Sequence, residues 1–74
     1  SNKGVVISAV VKGSPAYNAD IFKGDILKKI GDVDIYDTEK YTQAIDKYEG
    51  RKTEIEIYRG GEILIKNIEI QTIK

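Results

Sequence analysis

The sequence predicts an α+β domain built on a small, mostly antiparallel, partly closed β-sheet with one short and one longer helix. Three observations carry this. Apolar, β-branched runs recur at Val5 to Val11, Ile26 to Ile30, Thr53 to Arg59 and from Glu62 onward, each bounded by turn residues. A sustained helical period occurs once, where Tyr41, Ala44, Ile45 and Tyr48 fall at i, i+3, i+4 and i+7. Hairpin and turn signals join the strands, so strands outnumber helices.

Val5 to Val11 comes first, between Gly4 and Lys12 Gly13, and reads as a strand covered on both faces. Gly13 Ser14 Pro15 Ala16 is a helix start, with Ser14 able to accept a backbone N–H and proline at the first helical position. That helix is short and ends near Ala19, after which Ile21 and Phe22 are expected to plug the core. Gly24 Asp25 makes a tight turn, the Asp25 carboxylate accepting backbone donors, and leads into the strand Ile26 to Ile30. Gly31 Asp32 breaks that strand, and Val33 to Ile35 forms a short second arm.

Asp37 is the expected N-cap of the longer helix, with Glu39 and Lys47 matched to the two ends of its dipole and Gly50 as its terminator. Thr53 to Arg59 alternates, with Ile55 and Ile57 on one face. Gly60 Gly61 is a two-residue hairpin signal. The return strand, Glu62 to about Ile73, holds a conflict of parity: Ile63 and Ile65 are odd, Ile68 and Ile70 even. A β-bulge near Lys66 Asn67 would place all four on one face. The other reading leaves Ile63 and Ile65 on the outer face of the hairpin.

With 74 residues the chain has room for one domain and a modest core. Residues 1–3 read as an expression scar or linker and 4–74 as the domain. Twelve basic and twelve acidic residues cancel and alternate in sign, which argues against a nucleic-acid surface. There is no cysteine to build a disulfide framework or a thiolate metal site. No apolar run of about 18 residues and no signal-peptide pattern occurs, so no direct membrane contact is expected from this stretch.

Histidine is also absent, which removes the commonest general base and metal ligand. Ser8 lies in a strand and Ser14 in a helix cap, and no motif sets a lysine beside either, so each has a structural reading. Glu54 with Glu56, and Asp32 with Asp34, pair carboxylates on alternate strand positions, but without a third ligand they read as solvated faces. Neither Gly60 Gly61 nor Gly24 precedes a helix, so no phosphate cradle forms. No catalytic residue, metal or cofactor is expected. Recognition through the backbone remains, since an unpaired sheet edge beside an amphipathic helix accepts an extended peptide as an added strand.

Gly4 Val5 Val6 Ile7, the Ser14 Pro15 Ala16 helix start, Gly24 Asp25 Ile26 Leu27, the helix from Asp37 to Tyr48 and the closing hairpin together resemble PDZ domains of the bacterial protease-associated type. Such domains accompany high-temperature-requirement serine proteases, carboxyl-terminal processing proteases, intramembrane metalloproteases and Lon-like membrane-anchored proteases. The resemblance implies a regulatory module that binds chain termini or unfolded segments by strand addition. Its partners would be an extended peptide or unfolded polypeptide and the protease domain of the same chain, in an extracytoplasmic compartment. It also implies a groove between a strand and the second helix, formed here by Gly4, Val5, Val6 and Ile7 with Thr38, Thr42 and Ile45, while Tyr41, Ala44 and Tyr48 face the core. The family's Gly-rich carboxylate-binding loop normally precedes the segment matching Val5 to Val11, and that motif is not found here before Gly4. The alternative is a structural or oligomerising domain of an envelope or secretion protein, whose strand edge pairs with a copy of itself or with another domain.

Overall fold

The computed structural model describes residues 3–70. Its elements are β1 (Val5–Val6), α1 (Pro15–Asn18), β2 (Ile26–Ile30), β3 (Val33–Asp34), α2 (Thr38–Tyr48), β4 (Lys52–Arg59) and β5 (Glu62–Glu69). All pairings are antiparallel. β2 is central, with β1 and β3 both paired to it, β4 on its other side, and β5 beyond β4.

The helix boundaries follow from their caps. Ser14 Oγ accepts the Tyr17 N–H at 3.2 Å, and α1 ends after one turn, followed by Asp20 at a φ of 61°. Asp37 Oδ1 accepts the Lys40 N–H at 2.8 Å and starts α2 at the expected residue. Gly60 and Gly61 both take positive φ, 56° and 88°, which sets the twist of the β4–β5 hairpin to match its strands.

Ile21, Leu27, Ile30, Ile35, Ala44, Ile55, Ile57 and Ile70 form the core, between the inner face of the sheet and α2. Alternation puts Ile55 and Ile57 on one face of β4. Opposite them Leu27 and Ile30, three residues apart, reach that same face because the register shifts between Leu27 and Lys29 in β2. Among the described residues no helix is long and apolar enough to cross a membrane.

Four expectations are corrected. The sheet is open rather than partly closed, because the path from β1 to β5 does not return on itself. The first strand is two residues long, not seven: the pairing extends only through Ile7, whose N–H donates to the Asp25 carbonyl at 2.8 Å. Val5, Ile7 and Val10 pack on the core, but Val6 is 63% exposed and Ser8, Ala9 and Val11 also face solvent, so both faces are not covered.

β5 holds no bulge. Its register with β4 is continuous from Lys52 opposite Glu69 to Arg59 opposite Glu62, and Ile63 and Ile65 lie outside, 61% and 53% exposed. The irregularity falls instead in β2, between Leu27 and Lys29. Finally, Phe22 stays at the surface while Ile21 alone fills the core. The Phe22 ring lies 4.4 Å from the Arg59 guanidinium, a stacked arrangement that shields its face without burying it. The expected continuation of β5 to Ile73 falls on residues 71–74, outside the described residues.

Candidate functional site

Beyond Ile7 the chain leaves β2 and crosses through Val10 to α1, and this departure opens an apolar cavity under α2. The cavity measures about 160 Å³ and is lined by Ile7, Val10, Ile21, Leu27, Tyr41 and Ile45 among others. A second hollow of about 140 Å³ shares Ala16, Tyr41, Ile45, Ile68 and Ile70 with it and runs out past Ser14, Pro15 and Glu69. The two make one groove between α2 and the first segment of the chain. An apolar cavity of about 150 Å³ is large enough to hold a benzene ring, so this one accepts one branched or aromatic side chain.

The edge of β1 borders that groove. Ile7 directs its N–H toward β2, and alternation along an antiparallel strand turns the N–H and C=O of Val6 the other way. β1 pairs with β2 alone among the described strands, which leaves its other side as a sheet edge.

The residues implied by the resemblance separate into two sets. Ile7 and Ile45 line the cavity, Val5 and Val6 form β1 at its border, and Gly4 lies just before that strand. Thr38 and Thr42 are exposed on α2 and line neither hollow, the Thr42 hydroxyl donating to the Thr38 carbonyl at 3.1 Å. Sequence reasoning placed Tyr41 in the core, yet it is exposed at the cavity wall. The signal lay in its spacing, one helical turn before Ile45. Val10, Ala16 and Ile21 were also missed as lining residues, because Val10 and Ile21 lie in irregular segments and Ala16 in a one-turn helix too short to show a period.

Asp25 is the buried charge of the described residues, 3% exposed. Its Oδ2 accepts the Phe22 N–H at 2.8 Å, which is the turn role expected of it, and Arg59 closes on both oxygens. The hydrogen bonds from Arg59 hold its pKa below the ordinary carboxylate value, against desolvation, and raise that of Arg59. Both groups stay charged, so Asp25 is unsuited to proton transfer near neutral pH.

Asp32 is committed elsewhere. Lys47 Nζ donates to its two oxygens at 2.8 and 2.9 Å and the Tyr48 hydroxyl donates to Oδ1 at 2.5 Å. These bonds, that of Lys47 first, lower the Asp32 pKa to about 2 and raise that of Lys47. Glu56, the partner of Glu54 in sequence, stands opposite Lys29 and Ile65 on the outer face of the sheet. No cluster of His, Cys, Asp or Glu among the described residues has a metal-ligating arrangement.

What the geometry offers is an apolar slot beside a strand edge, which suits capture of an extended polypeptide. No curated protein matches the chain. A protein-family profile described as a PDZ domain matches residues 6–59, from the edge of β1 to the end of β4. PDZ domains are non-catalytic modules that bind peptides and other proteins, which agrees with an apolar slot flanked by the outer edge of β1. With most of its length under that profile, the chain belongs to the PDZ domain family.

Proposed function

We propose that this domain recognises chain termini or unfolded segments by strand addition to the β1 edge, and thereby gates or positions a protease carried by the same polypeptide in an extracytoplasmic compartment. The observation that supports the binding mode is the apolar cavity lying directly beside that edge, walled by Ile7 and Val10 on one side and Tyr41 and Ile45 on the other. A segment paired with Val6 would direct alternate side chains toward the slot. Filling it with an aliphatic or aromatic side chain contributes roughly 1.5–3 kcal/mol. The protease context rests on the likeness of the Ser14 Pro15 Ala16 and Gly24 Asp25 Ile26 Leu27 segments to protease-associated domains.

Titrating the isotope-labelled chain with a library of extended peptides tests the binding mode. Amide shifts gathered on Val5 to Val11 and Thr38 to Tyr48 are expected, and no shift there with any peptide overturns it. The protease role is tested on the full-length polypeptide. A cavity-binding peptide is expected to change its peptidase rate, and a rate unmoved by a peptide that binds overturns that part.

A further inference from the structure

β5 is the second edge of the sheet and by far the longer one. Among the described residues it pairs only with β4, over eight residue pairs, and it contains no proline and no bulge. A long edge of this kind, with exposed isoleucines at 63 and 65, templates pairing with another strand. The two-residue turn fixes which groups are offered. In such a hairpin the flanking pair, Arg59 with Glu62, is hydrogen-bonded, so the N–H and C=O groups of Ile63, Ile65 and Asn67 point away from β4.

The sequence of this edge is self-complementary. Glu62 Ile63 Leu64 Ile65 Lys66 reads, against its own reverse, as Glu on Lys, Ile on Ile, Leu on Leu, Ile on Ile and Lys on Glu. Antiparallel pairing about a two-fold axis at Leu64 places Ile63 opposite Ile65 of a second copy, both on the outer face. Leu64 then meets Leu64, and Glu62 meets Lys66, on the inner face. This register also makes the outward main-chain groups of Ile63 and Ile65 exchange hydrogen bonds directly.

Other registers do worse. A shift by one residue sets inner positions against outer ones. A shift that brings Ile65 onto Ile65 leaves Lys66 opposite Leu64, and one that brings Ile63 onto Ile63 leaves Glu62 opposite Leu64. The pairing ends at Lys66, before Ile68 to Ile70, where α1 lies against the end of the strand. The net charge of zero adds no general repulsion between copies.

We infer that β5 is a self-association edge, through which two copies of this chain join antiparallel along Glu62 to Lys66 into one continuous sheet. The inference is independent of the peptide reading, because β1 and β5 are opposite edges of the sheet and both can be engaged at once.

Sedimentation of the 74-residue chain from micromolar to millimolar concentration is expected to show a monomer–dimer equilibrium. Amide exchange at Ile63 and Ile65 should slow as the dimer fills. Glu62→Lys and Lys66→Glu each turn both attractive pairs into repulsive ones and should weaken the homodimer by about tenfold or more. Mixing the two variants restores both pairs, so a heterodimer of wild-type strength or better is expected, which also shows that each variant folds. Three results overturn the proposal: a monomer throughout, a dimer indifferent to both reversals, or wild-type exchange at Ile63 and Ile65 that does not depend on concentration. A dimer of the indifferent kind belongs to another face.

Discussion

Arg59 clasps Asp25 through two charge-assisted hydrogen bonds, Nε to Oδ1 at 2.8 Å and Nη2 to Oδ2 at 2.7 Å, across 34 residues of sequence. Nη2 also donates to the Asp20 carbonyl at 2.8 Å, and the guanidinium covers the Phe22 ring. One side chain at the end of β4 thereby fixes the turn that joins α1 to β2. That turn places Ile21 and Leu27 on the floor of the cavity.

Replacing Asp25 by Asn keeps its volume but removes the charge that two strong donors require, at a cost of roughly 2 kcal/mol. In a domain of this size that shifts the melting temperature by roughly 8–16 °C. Arg59→Met is expected to cost more, because it leaves a buried carboxylate without its cation. Urea melts of the two variants check the order, and a larger loss from Asp25→Asn than from Arg59→Met reverses the argument.

Acid should unfold the protein through the same carboxylates. Asp25 and Asp32 both have folded pKa values below the ordinary 3.8, that of Asp32 at about 2. A depressed folded value means that their stabilisation is complete above the unfolded pKa and is lost as pH falls through the folded one. Stability is therefore expected to hold down to about pH 5 and to fall between there and about pH 2. Asp32→Asn should flatten part of that decline in a series of denaturant melts, and an unchanged slope would count against the Lys47 and Tyr48 bonds as its cause.

The parts of this fold that were legible in the sequence are those whose cause is local. Ser14 and Asp37 cap helices within three residues of themselves, and the two glycines of the hairpin need only their own backbone. The parts that were not legible depend on distant partners. The length of the first strand is set by how far β2 runs beside it, which the apolar run to Val11 does not record. Phe22 reads as a core residue until Arg59 is known to cover it. Yet Arg59 left a trace: it shares the parity of Ile55 and Ile57, and a cation on the core-facing side of a strand needs an acidic partner. The parity of Ile63 and Ile65 was visible too, and without a bulge in β5 it puts both on the outer face. For the site, Ile7 and Ile45 were reachable from periodicity, whereas Val10 lies in an irregular segment and Ala16 in a one-turn helix.

Gly31 tests the contact between α2 and the β2–β3 turn. Its φ is +56°, and a Cβ there would enter the ring of Tyr48. Gly60 has the same φ but open space around it. Gly60→Ala should therefore cost only the left-handed strain, about 1–2 kcal/mol. Gly31→Ala should cost clearly more, because the Tyr48 ring must leave its place and release the Asp32 backbone N–H that its hydroxyl accepts at 3.1 Å. Equal losses in thermal melts would mean that the ring moves aside freely.

Peptide affinity separates two placements of the ligand along α2. If an extended segment pairs with the β1 edge and fills the cavity, the residues that matter are Tyr41 and Ile45, which wall it, and not Thr42, which is exposed and outside it. Truncating a side chain that contacts a buried anchor costs about 1–2 kcal/mol, or roughly 5-fold to 30-fold in Kd. Ile45→Ala and Tyr41→Ala should show that loss, and Thr42→Ala should stay within about twofold. Calorimetric titration at a temperature where all three variants remain folded reads the comparison. Should Thr42→Ala prove the costlier change, the ligand lies along the outer side of α2, and the apolar slot is not its seat.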